Sequence, residues 1–128
     1  MSKLSLRSIY DEIGPEKIDE LVRAFYPKVY ADEHLIPIFK WDINEIMEKQ
    51  RLFLTQFTGG PALYSEKYGR PMMRKRHLIH EVTPTRAKSW LQCMNEAFKE
   101  VGLDKHPMGK EFFQRLTEVA SIMVNTEE

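Results

Sequence analysis

Between Gly69 and His80 the chain runs Gly-Arg-Pro-Met-Met-Arg-Lys-Arg-His-Leu-Ile-His, which places two thioethers, four cations and two imidazoles within a dozen residues. A neutral imidazole can give a ring nitrogen to iron, apolar neighbours can cover a planar macrocycle, and guanidinium or ammonium heads can pair with carboxylates at its rim. This mixture suits a buried iron porphyrin. A basic run is equally the ordinary make-up of a solvated face, and most isolated histidines ligate nothing, so the surrounding elements must decide.

Those elements read as helices throughout. Ser5 or Ser8 can cap a short first helix carrying Leu4, Leu6, Ile9, Tyr10 and Ile13, which Gly14-Pro15 ends. Pro15 suits the first position of a second helix, where Ile18, Leu21, Val22, Phe25 and Val29 recur at three and four residues, with Tyr26 at the margin of that stripe. Pro27 removes a backbone donor and is expected to bend the helix where Tyr26 is presented. Leu35-Ile36-Pro37-Ile38-Phe39 reads as a tight turn that sends Phe39 inward.

Asp42 or Asn44 caps the next helix, whose core stripe is Ile43, Ile46, Met47, Phe53, Leu54 and Phe57. Gln50 falls on that stripe, four residues from Ile46 and from Leu54. A buried amide left unpaired costs about 1–3 kcal/mol, so Gln50 either meets a partner or ligand there or reaches solvent at the stripe's edge. Gly59-Gly60-Pro61 stops the helix, and a long connection with little periodicity, carrying Tyr64, Tyr68 and Gly69, leads to Pro71; connections of that length are often functional. Thr83-Pro84 or Thr85 opens a further helix with Ala87, Trp90, Leu91, Met94, Ala97, Phe98 and Val101 inward, closed by Gly102. A last helix from about Met108 to Asn125 buries Phe112, Phe113, Leu116, Val119, Ala120, Met123 and Val124. No segment alternates like a strand and no repeat is visible. The expected fold class is all-α, with residues 1–128 forming one domain.

Composition narrows the partners. Lys+Arg and Asp+Glu number 19 each, so the formal net charge is +0, and nothing general favours nucleic acid or an anionic membrane. One cysteine, Cys93, excludes an internal disulfide and fits a reducing cytosol. It falls within a buried helix and reads as a small packing residue. With no apolar run of spanning length and no leader-like N-terminus, a soluble cytoplasmic protein is expected. His34 and His106 are expected at the surface.

A candidate axial histidine, with a tyrosine, a glutamine and a tryptophan on three separate helical faces, resembles the truncated hemoglobins of group II, the bacterial two-over-two globins. The resemblance rests on Phe25-Tyr26, on Pro37-Ile38-Phe39, and on Phe53-Leu54-Thr55-Gln56-Phe57-Thr58-Gly59-Gly60-Pro61 with Tyr64. It continues through Gly69 to His77 and through Ala87-Lys88-Ser89-Trp90-Leu91-Gln92-Cys93-Met94, and so covers nearly the whole chain.

The resemblance implies a two-over-two helical sandwich around heme b, with His77 as iron ligand and Tyr26, Gln50 and Trp90 stabilising ligands on the opposite side. It implies that Ile46 stands at the distal gate, that Phe39 packs on the porphyrin edge, and that Arg76, Lys49 and Tyr64 meet the propionates. Phe53, Leu54 and Met73 complete the lining. Oxygen, carbon monoxide and nitric oxide are the implied ligands, and nitric oxide detoxification or peroxide reduction the implied reactions. Those reactions would need a reductase that the sequence does not identify, in a monomer or homodimer.

Two departures stand out. Ile79-His80 replaces a proline and phenylalanine usual after the ligand, though the lead-in Arg74-Lys75-Arg76 favours His77 over His80. Gly14-Pro15 replaces a double glycine. Two other readings use the same residues. In one, Tyr26, Trp90 and the phenylalanines are simply the core of a heme-free helical interaction module, which a colourless protein would support. In the other, His77 and His80 belong to a zinc or non-heme iron site, for which Glu81 alone is too small a complement.

Overall fold

Ser8 opens the first helix by a reciprocal cap: its hydroxyl accepts from the Asp11 backbone N–H at 3.0 Å, while the Asp11 carboxylate accepts from the Ser8 N–H at 3.2 Å. The computed structural model describes residues 8–39, 42–70 and 81–127. Helix α1 spans Ile9–Tyr30. The two helices expected on either side of Gly14-Pro15 are one element with a kink, because Gly14 takes φ 80 and ψ 163, and Pro15 restarts the helical path at once. Gly14 is the residue of α1 with non-helical torsions, so the backbone stays helical through Pro27.

After α1, the Asp32 carboxylate accepts from the His34 and Leu35 N–H groups at 2.8 and 3.2 Å and folds the chain into a 3-10 turn, Ile36–Ile38. Helix α2 covers Ile43–Phe57 with Asp42 as its cap. Helix α3, Leu63–Tyr68, lies in the stretch expected to be an irregular connection. Tyr64 and Tyr68, one turn apart, tilt against each other within it at 5.2 Å between centroids, and Gly69 ends it at φ 82. Gln56 clasps α3 to α2: its amide donates to the Ser65 hydroxyl at 2.7 Å and its carbonyl accepts from the Ser65 N–H at 2.8 Å.

Helix α4, Pro84–Glu100, begins at Thr83, whose hydroxyl accepts from the Arg86 N–H at 3.1 Å. Gly102, at φ 81, turns the chain into a second 3-10 turn, Leu103–Lys105, ahead of α5, Gly109–Met123. The last helix stops two residues short of the expected Asn125, which instead forms a two-way clasp with Val82: N–H to carbonyl and side-chain carbonyl to N–H, each 3.0 Å. His106, expected at the surface, is half-buried, and its Nδ1 accepts from the Met108 N–H at 3.0 Å at the entry to α5.

Helix α1 packs against α2 and α4, α4 against α5, and α2 against α3. The core follows from that arrangement: Ile18, Leu21, Phe25 and Val29 from α1, Met94, Ala97 and Phe98 from α4, and Phe112 and Leu116 from α5 are buried together. Full burial of each large apolar side chain contributes about 1.5–3 kcal/mol. Among the described residues there is no strand, and no helix is long and apolar enough to cross a membrane.

Candidate functional site

The residues expected to face a ligand come from three helices and one turn. Tyr26 lies in α1 and is 1% exposed, in the core instead of at its margin, because α1 is covered from both sides by α2 and α4. Its ring meets Phe25 edge to face at 4.7 Å and Phe39 at 6.3 Å. Phe39 also tilts against Tyr30 at 6.1 Å, so the turn after Asp32 delivers its aromatic inward as expected. Trp90, half-buried on α4, joins the group through Phe25, with centroids 5.3 Å apart at 77°. Pairs of this geometry add about 0.5–1.5 kcal/mol beyond area burial. Phe25 thus fixes the two hydrogen-bonding aromatics relative to one another, a role its place on the core stripe did not reveal.

Burial pushes the Tyr26 phenol well above its ordinary pKa, and the neighbouring Tyr30 adds to the rise. Tyr26 is therefore a neutral donor at any physiological pH. No hydrogen bond joins its hydroxyl to another described residue. A phenol that is held in place by packing and not committed to another described residue can donate its hydrogen to a polar guest beside it. Gln50 is half-buried on α2, between Ile46 and Leu54 on the same stripe, and its side-chain amide makes no hydrogen bond to another described residue. Ile46 is half-buried and Leu54 buried.

A second group gathers around α3. Phe53 stacks on Phe57 at 5.4 Å and meets the buried Tyr64 edge-on at 5.7 Å. Tyr64 leads to Tyr68, over whose ring the Lys49 and Lys67 ammonium groups sit at 5.1 and 5.5 Å from the centroid. Lys49, Phe53 and Tyr64 are thus brought to one place. Tyr68 and Lys67 belong with them, and the four-residue spacing of Tyr64 and Tyr68 was the signal that could have shown it. On α4 the expected inward Ala87 and Leu91 are half-buried, as Trp90 is, while Ser89 and Cys93 take buried positions. His77, His80, Met73 and Arg76 lie outside the described residues. Among those described, no cluster of three or more His, Cys, Asp or Glu could hold a metal ion.

An all-α fold whose aromatic wall joins a buried phenol and a half-buried indole from separate helices fits the class that the sequence resembles, helical proteins built around a heme. Comparison with known proteins makes it specific. The sequence matches the bacterial-like globin family over residues 8–125. It is 45% identical over 125 residues to group 2 truncated hemoglobin YjbI of Bacillus subtilis, covering 97% of this chain and 93% of that one. The fold superposes on the group II truncated hemoglobin of Bacillus anthracis with a TM-score of 0.90 at 44% identity, covering 95% and 94% of the two chains. It also superposes on a truncated oxygen-avid haemoglobin of Bacillus subtilis, with a TM-score of 0.88 at 45% identity over 93% of this chain and all of that one.

The chain belongs to the bacterial-like globin family and has the two-over-two fold of the truncated hemoglobins. It is a heme globin, of the class that binds oxygen and similar small diatomic ligands. The Tyr26 hydroxyl, which has no hydrogen bond to another described residue, the aromatic wall and the half-buried aliphatic Ile46 suit that cofactor.

Proposed function

We propose that the chain, as one domain over residues 1–128, binds oxygen, carbon monoxide and nitric oxide beside Tyr26, with His77 as the proximal ligand of heme b. When bound, the heme supplies an iron centre that takes diatomic ligands and exchanges electrons. The chain's own residues do the rest. Tyr26 and Trp90 donate hydrogen bonds to a diatomic guest, Gln50 reaches the same space from α2, and Ile46 adds bulk there without a donor. Phe39, Phe53, Leu54 and Met73 would line the heme, and Lys49, Tyr64 and Arg76 would pair with its carboxylates.

Each donated bond contributes about 1 kcal/mol, more to a charge-bearing acceptor, and about 1.4 kcal/mol is tenfold in affinity. Two or three donors therefore retain a ligand for long times, which suits chemistry or sensing over bulk transport. A redox role, in nitric oxide detoxification or peroxide reduction, follows, with a separate reductase as electron donor, in the cytoplasm, as a monomer or homodimer.

The observation that carries this reading is the buried Tyr26 hydroxyl with no acceptor among the described residues. The test is the absorption spectrum of the reduced protein with and without carbon monoxide. Wild type and His80→Ala should show a five-coordinate ferrous form that shifts with carbon monoxide, and His77→Ala should lose its heme or bind it weakly. Normal retention in His77→Ala with loss in His80→Ala would reassign the ligand, and a protein that stays colourless with added hemin would return the aromatic wall to simple core.

A further inference from the structure

Arg86 does something that neither the family match nor the ligand-facing residues explain. Its side chain is 21% exposed, and its guanidinium is used twice on main-chain carbonyls far apart in sequence. Nε donates to the His34 carbonyl at 3.0 Å, and an Nη1 hydrogen goes to the Glu81 carbonyl at 2.8 Å. The Glu81 carboxylate stands 3.9 Å from the same nitrogen. The Arg86 backbone is itself fixed by the Thr83 cap at the start of α4. A planar guanidinium has its donors in a rigid fork, so two carbonyls held by one head are held at a set separation; an ammonium cannot do this in the same way.

The two segments so joined both bear on the proposed site. His34 belongs to the turn that Asp32 organises and that delivers Phe39 against Tyr26. Glu81 comes four residues after His77 in the chain, a tether of at most about 14 Å. The next residue, Val82, is clasped on its other side by Asn125 at the end of α5. We infer that Arg86 is a positioning residue: it is a strut that sets the spacing between the chain segment following the heme-binding histidine and the turn that places Phe39 beside Tyr26. Loosening it would alter the support of the histidine segment and the placement of Phe39 together. The inference rests on His77 as the iron ligand.

The test uses the heme-loaded full chain and compares wild type with Arg86→Ala, Arg86→Lys and Ser8→Ala. Two properties are read: the iron–imidazole stretching band of the ferrous protein by resonance Raman, and the oxygen dissociation rate by stopped flow. Ser8→Ala removes the α1 cap and lowers stability without touching His34 or Glu81. The strut predicts that Arg86→Ala shifts the band and changes the oxygen rate by about threefold or more, that Arg86→Lys changes at least one of them, and that Ser8→Ala changes neither. Unchanged values in Arg86→Ala, or equal changes in Ser8→Ala, overturn it. Should Arg86→Ala fail to hold heme, Arg86→Lys decides alone, and wild-type values in both properties overturn the inference. The underlying ligand assignment is checked apart from this: a wild-type band that persists in His77→Gly removes His77 as ligand, and the strut with it, whereas failure of the strut leaves His77 standing.

Discussion

Phe25 meets Trp90 edge to face, 5.3 Å between ring centroids, while the next residue in its own helix, Tyr26, is 4.7 Å from it on another side. One core phenylalanine therefore sets the register of α1 against α4 and the relative placement of the two donors. Because their positions are set by packing and not by hydrogen bonds to one another, either donor can be removed without collapsing the group.

Tyr26→Phe keeps the ring and its contacts with Phe25 and Phe39 and deletes only the hydroxyl. The thermal midpoint of the heme-free protein should stay the same or rise, since the lost group is buried and unpartnered within the described chain. Oxygen dissociation should accelerate about tenfold, the equivalent of roughly 1.4 kcal/mol, as measured by stopped flow. Unchanged dissociation and autoxidation would mean that the phenol does not touch the ligand.

Cys93 is buried in α4, and burial pushes its thiol up to about 11. The thiolate is the reactive species, so alkylation at pH 8 should be negligible in the folded protein and rapid once it is unfolded. The linkage has a definite sign. An unfolded thiol releases its proton near its ordinary value while the folded one retains it, so this contribution to stability is complete below that value and is lost as pH rises through about 11. Mass-spectrometric counting of alkylated Cys93 against pH checks the reactivity, and fast labelling of the native protein at pH 8 would contradict the burial.

Much of this fold is legible in the sequence alone, and the parts that are not share a cause. Helical spacing identified Ile18, Leu21, Phe25 and Val29 as one buried face because periodicity is local. Ser8, Asp42 and Thr83 were among the capping choices for the same reason, and the structure selects each of them. Helical patterning singles out Tyr26, Gln50 and Trp90 on three separate faces, and the family resemblance supplies their common role toward a ligand.

What stayed hidden depends on distant pairings. Tyr26 looked marginal because one stripe cannot show that α1 is covered from two sides. The α3 helix was missed because six residues are too few for a period to register. Arg86 carries no local signal at all, since its partners, the carbonyls of His34 and Glu81, have no side-chain identity to read.

Gly109 gives the sharpest case, because nothing in the sequence marks it and the packing around it leaves no choice. It is the first residue of α5 and is buried where the chain leaves the Leu103–Lys105 turn. A methyl group placed there would collide with the Leu103 carbonyl oxygen, which belongs to the main chain and cannot swing aside as a flexible side chain could. The Gly109 N–H is also held by the His106 carbonyl at 2.9 Å, and the Met108 N–H by the His106 imidazole, so the entry to α5 is fixed on both sides. Relief would require the turn to move, dragging the fully buried Leu103. Gly109→Ala should therefore destabilise the fold by about 1–3 kcal/mol or more, although alanine is the better helix former by roughly 1 kcal/mol at an unhindered site. Urea denaturation of the heme-free protein measures this directly. A variant as stable as wild type would mean that α5 can enter the fold at another height over Leu103.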